Sequence, residues 1–250
     1  MHAFMWILLP ITAALAFLLA GFVKGITGLG LPTVAIGLLS LVMAPAEAAA
    51  LLVVPTLVTN LWQLAAGPSF AALSRRLSTM MLTICFGTWM GAGLLVGDTA
   101  GRATGALGAA LVLYAIVGLA KLRFHISVGA ERWLSPLVGA ATGLVSAATG
   151  VFSIPAVPYL QALGLETEDL VQALGLSFTI STLALALDLA RHGVLHISTA
   201  SASALALMLA LGGMLVGQRL RARIRPDVFR FYFFLALLVL GGDLALRAVY

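Results

Sequence analysis

The sequence predicts an all-α polytopic membrane protein built as two inverted repeats, each a broken or re-entrant N-terminal helical hairpin followed by three transmembrane helices. Three observations predict it. The 250 residues are 62% hydrophobic and only 9% charged, against the roughly one-quarter charged residues of a soluble domain. The stretch Gly21-Phe-Val-Lys24-Gly-Ile-Thr27-Gly28 returns as Gly143-Leu-Val-Ser146-Ala-Ala-Thr149-Gly150, each copy lying inside an apolar run and followed by a proline, Pro32 or Pro155. The basic residues segregate to one side only if each of those runs folds back on itself. Residues 1–250 then form one transmembrane transporter domain, with repeat 1 at about 4–122 and repeat 2 at about 126–248.

The elements follow in order. Runs at 4–23 and 26–43 open the chain. No basic region precedes the first, which is longer than a signal-peptide core, so it is expected to be a retained span. Between them, three glycines and a proline from Lys24 to Pro32 break the helix, and Pro32 marks the start of the returning one. Runs at 47–66, 78–97 and 103–120 are near the ~20 residues that cross ~30 Å of hydrocarbon. In the second half, 134–149 and 151–164 are short and flank the second break, and 169–189, 197–217 and 229–247 complete the set. Glu47 and Asp169 stand at equivalent helix starts, where a carboxylate favours the helix dipole.

Charge decides whether the long runs return or cross. If both return, Arg75, Arg76, Lys121, Arg123, Arg132, Arg219, Arg221, Arg223, Arg225 and Arg230 share one side, leaving Arg102, Arg191 and Arg247 on the other. If each crosses once, the same residues split almost evenly. The positive-inside rule selects the returning hairpins. Both termini are then non-cytoplasmic, and the two halves enter the bilayer from opposite sides.

Unpaired backbone at membrane depth is tolerated where it is buried in protein or lines a polar cavity, so the breaks mark a site. Two helix N-termini converging there would each carry about half a positive charge and free N–H groups, which suits an anion. The candidate substrate-binding residues are Lys24, Thr27, Gly28, Gly30, Asn60, Gln63, Ser146, Thr149, Gly150 and Ser153. Lys24 has a competing reading as an interfacial lysine that snorkels. Gly21 and Gly25 have one as a small-xxx-small packing seam.

The remaining polar residues point elsewhere. Asp188 with Arg191, and Asp243 with Arg247, stand at helical spacings that suit ion pairs. His192 and His196 lack the partners of a metal site, so no cofactor or metal is expected. Cys85 is expected to be a small buried hydrophobe. The arginines from 219 to 225 suit topology or anionic lipid headgroups, and nucleic acid is excluded as a partner. Two other classes fit the residues less well. A passive anion channel needs a continuous polar pore, which the sparse intramembrane polar residues do not supply. An intramembrane serine hydrolase would use Ser177, yet His192 and His196 stand about fifteen residues away.

The pattern Gly21-x3-Gly25-x2-Gly28-x-Gly30 with Pro32, the stretch from Pro45-Ala-Glu47 to Asn60-Leu-Trp62-Gln63, and the weaker copy ending at Pro155 resemble the TauE/SafE family of membrane transporters. The resemblance implies movement of a small anion, such as sulfite, a sulfonate or a sulfur-containing carboxylate, across a bacterial cell (inner) membrane, without enzymatic activity. The chain departs from the family pattern where Ala147, Ala148, Val151 and Phe152 replace an expected glycine-rich stretch. The implied partners are a small anionic substrate and the lipid bilayer. A coupling ion, H+ or Na+, and a homo-oligomer are compatible with this reading.

Overall fold

The structure, a computed structural model, describes residues 2–96, 100–120, 125–196 and 200–248. Lys121 and Arg123, both used in the charge count, and the start of the run at 197–217 lie outside the described residues. Among the described residues there are eleven helices: α1 (His2–Thr27), α2 (Leu31–Leu39), α3 (Pro45–Ala66), α4 (Phe70–Arg76), α5 (Ser78–Met90), α6 (Ala100–Leu119), α7 (Val128–Thr149), α8 (Ala156–Ala162), α9 (Thr167–Arg191), α10 (Ala200–Leu220) and α11 (Pro226–Arg247). Six of them are long and apolar enough to cross a membrane: the α1 stretch Pro10–Thr27, α3, α6, α9, α10 and α11. A multi-pass membrane protein follows.

Local chemistry sets the helix ends. Pro45 with Glu47 opens α3, Glu168 and Asp169 occupy the first turn of α9, and Pro226 with Asp227 opens α11. Proline in the first turn sacrifices no intrahelical bond, and the acids oppose the positive dipole end. Both long runs break at a Thr-Gly pair with the same hydrogen-bond pattern. The Thr27 hydroxyl donates to the Val23 carbonyl at 2.9 Å and accepts from the Leu29 N–H at 3.1 Å. The Thr149 hydroxyl donates to the Val145 carbonyl at 2.7 Å and accepts from the Val151 N–H at 3.1 Å. Gly28 (φ 77°) and Gly150 (φ 72°) take the left-handed turn that glycine adopts without steric cost.

Several sequence expectations need correction. The first break does not begin at Lys24, because α1 continues to Thr27 and only Gly28 to Gly30 leave the helix. The returning helices are much shorter than the apolar runs holding them: α2 has 9 residues and α8 has 7. Helix α4 was not foreseen. Cys85 is exposed rather than buried. It shares an α5 face with the exposed Leu82, Phe86 and Trp89, and in a membrane span an apolar stripe faces lipid as readily as it faces the interior. The Asp188 carboxylate lies beside His192, Nδ1 to Oδ1 at 3.1 Å, with the ring nitrogen 2.9 Å from the Asp188 carbonyl oxygen, rather than beside Arg191. The reason is burial: Asp188 is 4% exposed, while Arg191 stays on the exposed surface. Asp243 does pair with Arg247, at 2.6 Å.

Helices approach in seams built from small residues. A Cβ at Gly21 or Gly25 of α1 would overlap the Ala210 or Met214 carbonyl oxygen of α10, and one at Gly213 or Gly217 would overlap those of Leu18 or Phe22. The α5–α7 pair repeats the arrangement, with Gly87 against the Ala140 carbonyl oxygen and Gly143 against that of Ile84. In lipid, where no hydrophobic force separates helix from tail, such close packing is the main source of association. The expected small-xxx-small role of Gly21 and Gly25 is therefore present. Helix α3 lies against α9, and α6 against α11.

Long-range contacts sort the connections into two ends. At one, Arg76 forms a bidentate pair with Glu131 (2.7 and 2.7 Å), Arg230 reaches the Gly118 carbonyl, and Gln172 caps α3. The Gln172 side chain donates to the Leu64 and Gly67 carbonyls at 2.8 and 2.7 Å and accepts from the Ser69 N–H at 2.8 Å. At the other end, Asp188 and His192 lie against Gly93. Most arginines of the larger predicted group stand at the first end.

Candidate functional site

A buried polar pair links α1 to α3. Lys24, three residues before the end of α1, is 3% exposed, and its Nζ donates to Oδ1 of Asn60, which is 0% exposed. An ammonium carries three donors, so one acceptor leaves it under-satisfied in a low-dielectric interior. The Asn60 Nδ2 and Gln63 Oε1 have no hydrogen-bond partner within the protein, nor do the Ser146, Ser177 and Ser181 hydroxyls. Buried polar groups are nearly always paired, so these orphans on α3, α7 and α9 call for an explanation. The Gln63 Nε2 donates to the Gly28 carbonyl at 2.7 Å, tying the first break to the last turns of α3.

The two returning elements meet at Thr33 and Ser153, whose hydroxyls are 2.8 Å apart and fully enclosed. Thr33 is in the first turn of α2, and Ser153 precedes α8. The breaks themselves do not meet. Gly28 lies by Gln63, whereas Gly150 lies by Ile36 and Ala49, and α3 rises about 21 Å between Ala49 and Gln63. Each break therefore passes the other, and the elements cross where their return begins.

The structure brings together Lys24 with Asn60, and Gln63 with Gly28, among the residues singled out from sequence. Ser153 meets Thr33, which the sequence reading missed although it directly follows Pro32. Thr27 and Thr149 spend their hydroxyls on the local backbone. Gly30 (φ 88°) closes the first break against Val23 and Phe233. Ser146 stands at the repeat equivalent of Lys24, and Thr182 at that of Asn60, so the second copy carries hydroxyls where the first carries a charge and an amide. Gln172 and Glu131 were also missed; both are buried polar residues whose partners sit in distant segments.

One turn from Lys24, Ile26, Thr27 and Leu29 line a cavity of about 850 Å³ that also takes in Gln161 of α8 and Arg221 and Arg230. A smaller crevice between Gly150, Phe152 and the first half of α3 holds only about 10 Å³, marginal even for a single water.

A family model described as Sulfite exporter TauE/SafE matches residues 13–244. No curated protein and no solved structure matches the chain.

Proposed function

The chain belongs to the sulfite exporter TauE/SafE family, and from that premise we propose a secondary transporter that exports a small anion, sulfite or an organosulfur anion, by alternating access. Membership makes the chain a multi-pass membrane transporter rather than an enzyme. The observation that carries the finer reading is the buried Lys24 ammonium on Asn60, whose Nδ2 has no partner within the protein. Intramembrane charges mark substrate pathways by default. The ammonium and the Asn60 amide would supply charge and direction to an oxyanion, with Gln63 and Ser146 contributing polar contacts. Thr27, Gly28, Gly30, Thr149 and Gly150 would act by shaping the breaks, and Ser153 by holding the crossing to Thr33.

Inverted repeats, about 4–122 and 126–248, are supported by the way contacts exchange. The α1–α10 seam has its counterpart in α7–α5, while α3–α9 and α6–α11 pair equivalent helices. The shared Thr-Gly breaks support the same two-fold relation. The arginine-rich end would face the cytoplasm of a bacterial cell and both termini the outside. The cavity at that end would give cargo access from the cytoplasmic side, as export requires.

The test is saturable uptake of labelled sulfite and organosulfonates into proteoliposomes by the wild type and by Lys24→Ala. Saturation and counterflow are expected for the wild type, and loss of both for a correctly inserted Lys24→Ala protein. Unchanged transport by the variant would remove Lys24 from the site, and non-saturating flux without counterflow would favour a channel.

A further inference from the structure

The cavity beneath the first break has two chemically distinct parts. Its mouth carries Arg221 and Arg230 with a single carboxylate, Asp227, and so has a net positive charge. Arg230 is held in place: its Nη2 donates to the Gly118 carbonyl at 3.2 Å, and its guanidinium lies 5.7 Å above the Phe234 ring. A guanidinium has five N–H donors, so this anchoring fixes its direction without consuming its capacity to bind an anion.

The wall is aromatic. The Phe229 and Phe233 rings are parallel with centroids 6.5 Å apart, Phe233 and Phe234 follow at 5.0 Å, and Tyr114 closes the row on Phe234 at 5.3 Å. An inorganic oxyanion has no apolar surface to bury against such a wall and would occupy a small part of about 850 Å³. That volume is typical of sites for organic molecules, whose apolar area is what an aromatic lining rewards. Thr27, one turn from Lys24, and Gln161 also line the cavity.

We propose that this cavity binds an organic anion, its sulfonate or carboxylate on Arg221 and Arg230 and its apolar body on the Phe229–Phe233–Phe234 wall. Where the ligand is cargo, the wall favours an amphipathic organic acid over sulfite. Taking the ligand as cargo rests on the transporter reading above; the binding site does not. A phospholipid offers the same combination of anionic head and apolar body, and the experiment separates the two sources.

The purified protein is titrated with sulfite, methanesulfonate, butanesulfonate, hexanesulfonate and benzenesulfonate, and with hexyltrimethylammonium as a control of opposite charge, by calorimetry and thermal shift. Affinity should rise about threefold to fourfold per methylene, with no binding of the cation. Arg221→Gln and Arg230→Gln should each weaken hexanesulfonate binding by about tenfold, the loss of one charge-assisted contact. Arg221→Gln carries the test if Arg230→Gln, which frees the Gly118 carbonyl, does not fold. A flat series, equal binding of the cation, or wild-type affinity in both variants overturns the proposal. So does phospholipid retained in native mass spectra, lost in Arg221→Gln and not displaced by hexanesulfonate, which makes the occupant a lipid. Lys24-dependent sulfite transport beside a flat series keeps the transporter and removes this site. A steep series in a protein that moves no anion keeps the site and removes the transporter.

Discussion

A lysine at 3% exposure inside a membrane protein is stable only if its charge is answered, and here a single neutral amide answers it. Asn60→Leu should therefore cost about 2–3 kcal/mol, the range for removing a partner of a buried charged group. Lys24→Met should cost less, because it removes the charge rather than stranding it. The double variant should be more stable than Asn60→Leu alone, while neither it nor either single variant transports. A double-mutant cycle by thermal or denaturant unfolding in detergent measures this; additive losses would show that the two side chains are not coupled. Position and type of both residues were legible in the sequence, because a charge and an amide stand out in apolar runs. Their pairing was not, since nothing in a separation of 36 positions fixes which face of α3 turns toward α1. Gln172 shows the same limit: it caps the end of α3 across more than a hundred residues, and from sequence it is one polar residue in the second turn of a helix.

At the level of elements, glycine does two separate jobs that composition alone merges. Gly28, Gly30 and Gly150 hold left-handed backbone at the breaks, whereas Gly21, Gly87, Gly143 and Gly213 let one backbone touch another. The second job predicts a sharp contrast between neighbours on α10. Gly213→Leu should destabilise the fold by about 3 kcal/mol or more, because its Cβ would meet the Leu18 carbonyl oxygen of α1. Gly212→Leu has nothing within 4 Å of its Cβ and should be tolerated. Monodisperse yield and melting temperature of the two variants decide it, and equal behaviour would mean that α1 and α10 do not approach through this seam. The breaks were legible because glycine and proline interrupt helices at any depth. The lengths of α2 and α8 were not, because apolarity continues through the turn after Leu39 and the segment before Ala156 and so marks no helix end. Helix α4, seven residues of mixed character, falls below any periodic signal.

For the whole molecule, two independent lines bear on which ends lie together: the charge count, and the contacts between segments far apart in the chain. Arg76 with Glu131 joins the start of α5 to the start of α7, and Arg230 with Gly118 joins the start of α11 to the end of α6. Asp188 and Gly93 bring the end of α9 to the turn after α5. Returning hairpins satisfy all three at once. An inverted arrangement can be proposed from sequence because lysine and arginine bear directly on sidedness, whereas the cavity was not legible, since its lining comes from α1, α6, α8, α11 and the turn after α10, segments far apart in the chain. Sidedness gives a discriminating experiment with single cysteines placed in a Cys85→Ser background. Arg102→Cys and Arg191→Cys should react with a membrane-impermeant maleimide on intact cells, and Arg132→Cys and Arg223→Cys only after permeabilisation. Four exposed side chains make the comparison fair. If each long run crossed once, Arg191 would instead label with Arg132, and Arg223 with Arg102. That exchange of partners would sink the inverted repeat, because it would put Arg230 and Gly118, and likewise Asp188 and Gly93, on opposite sides of the bilayer although they touch in the fold.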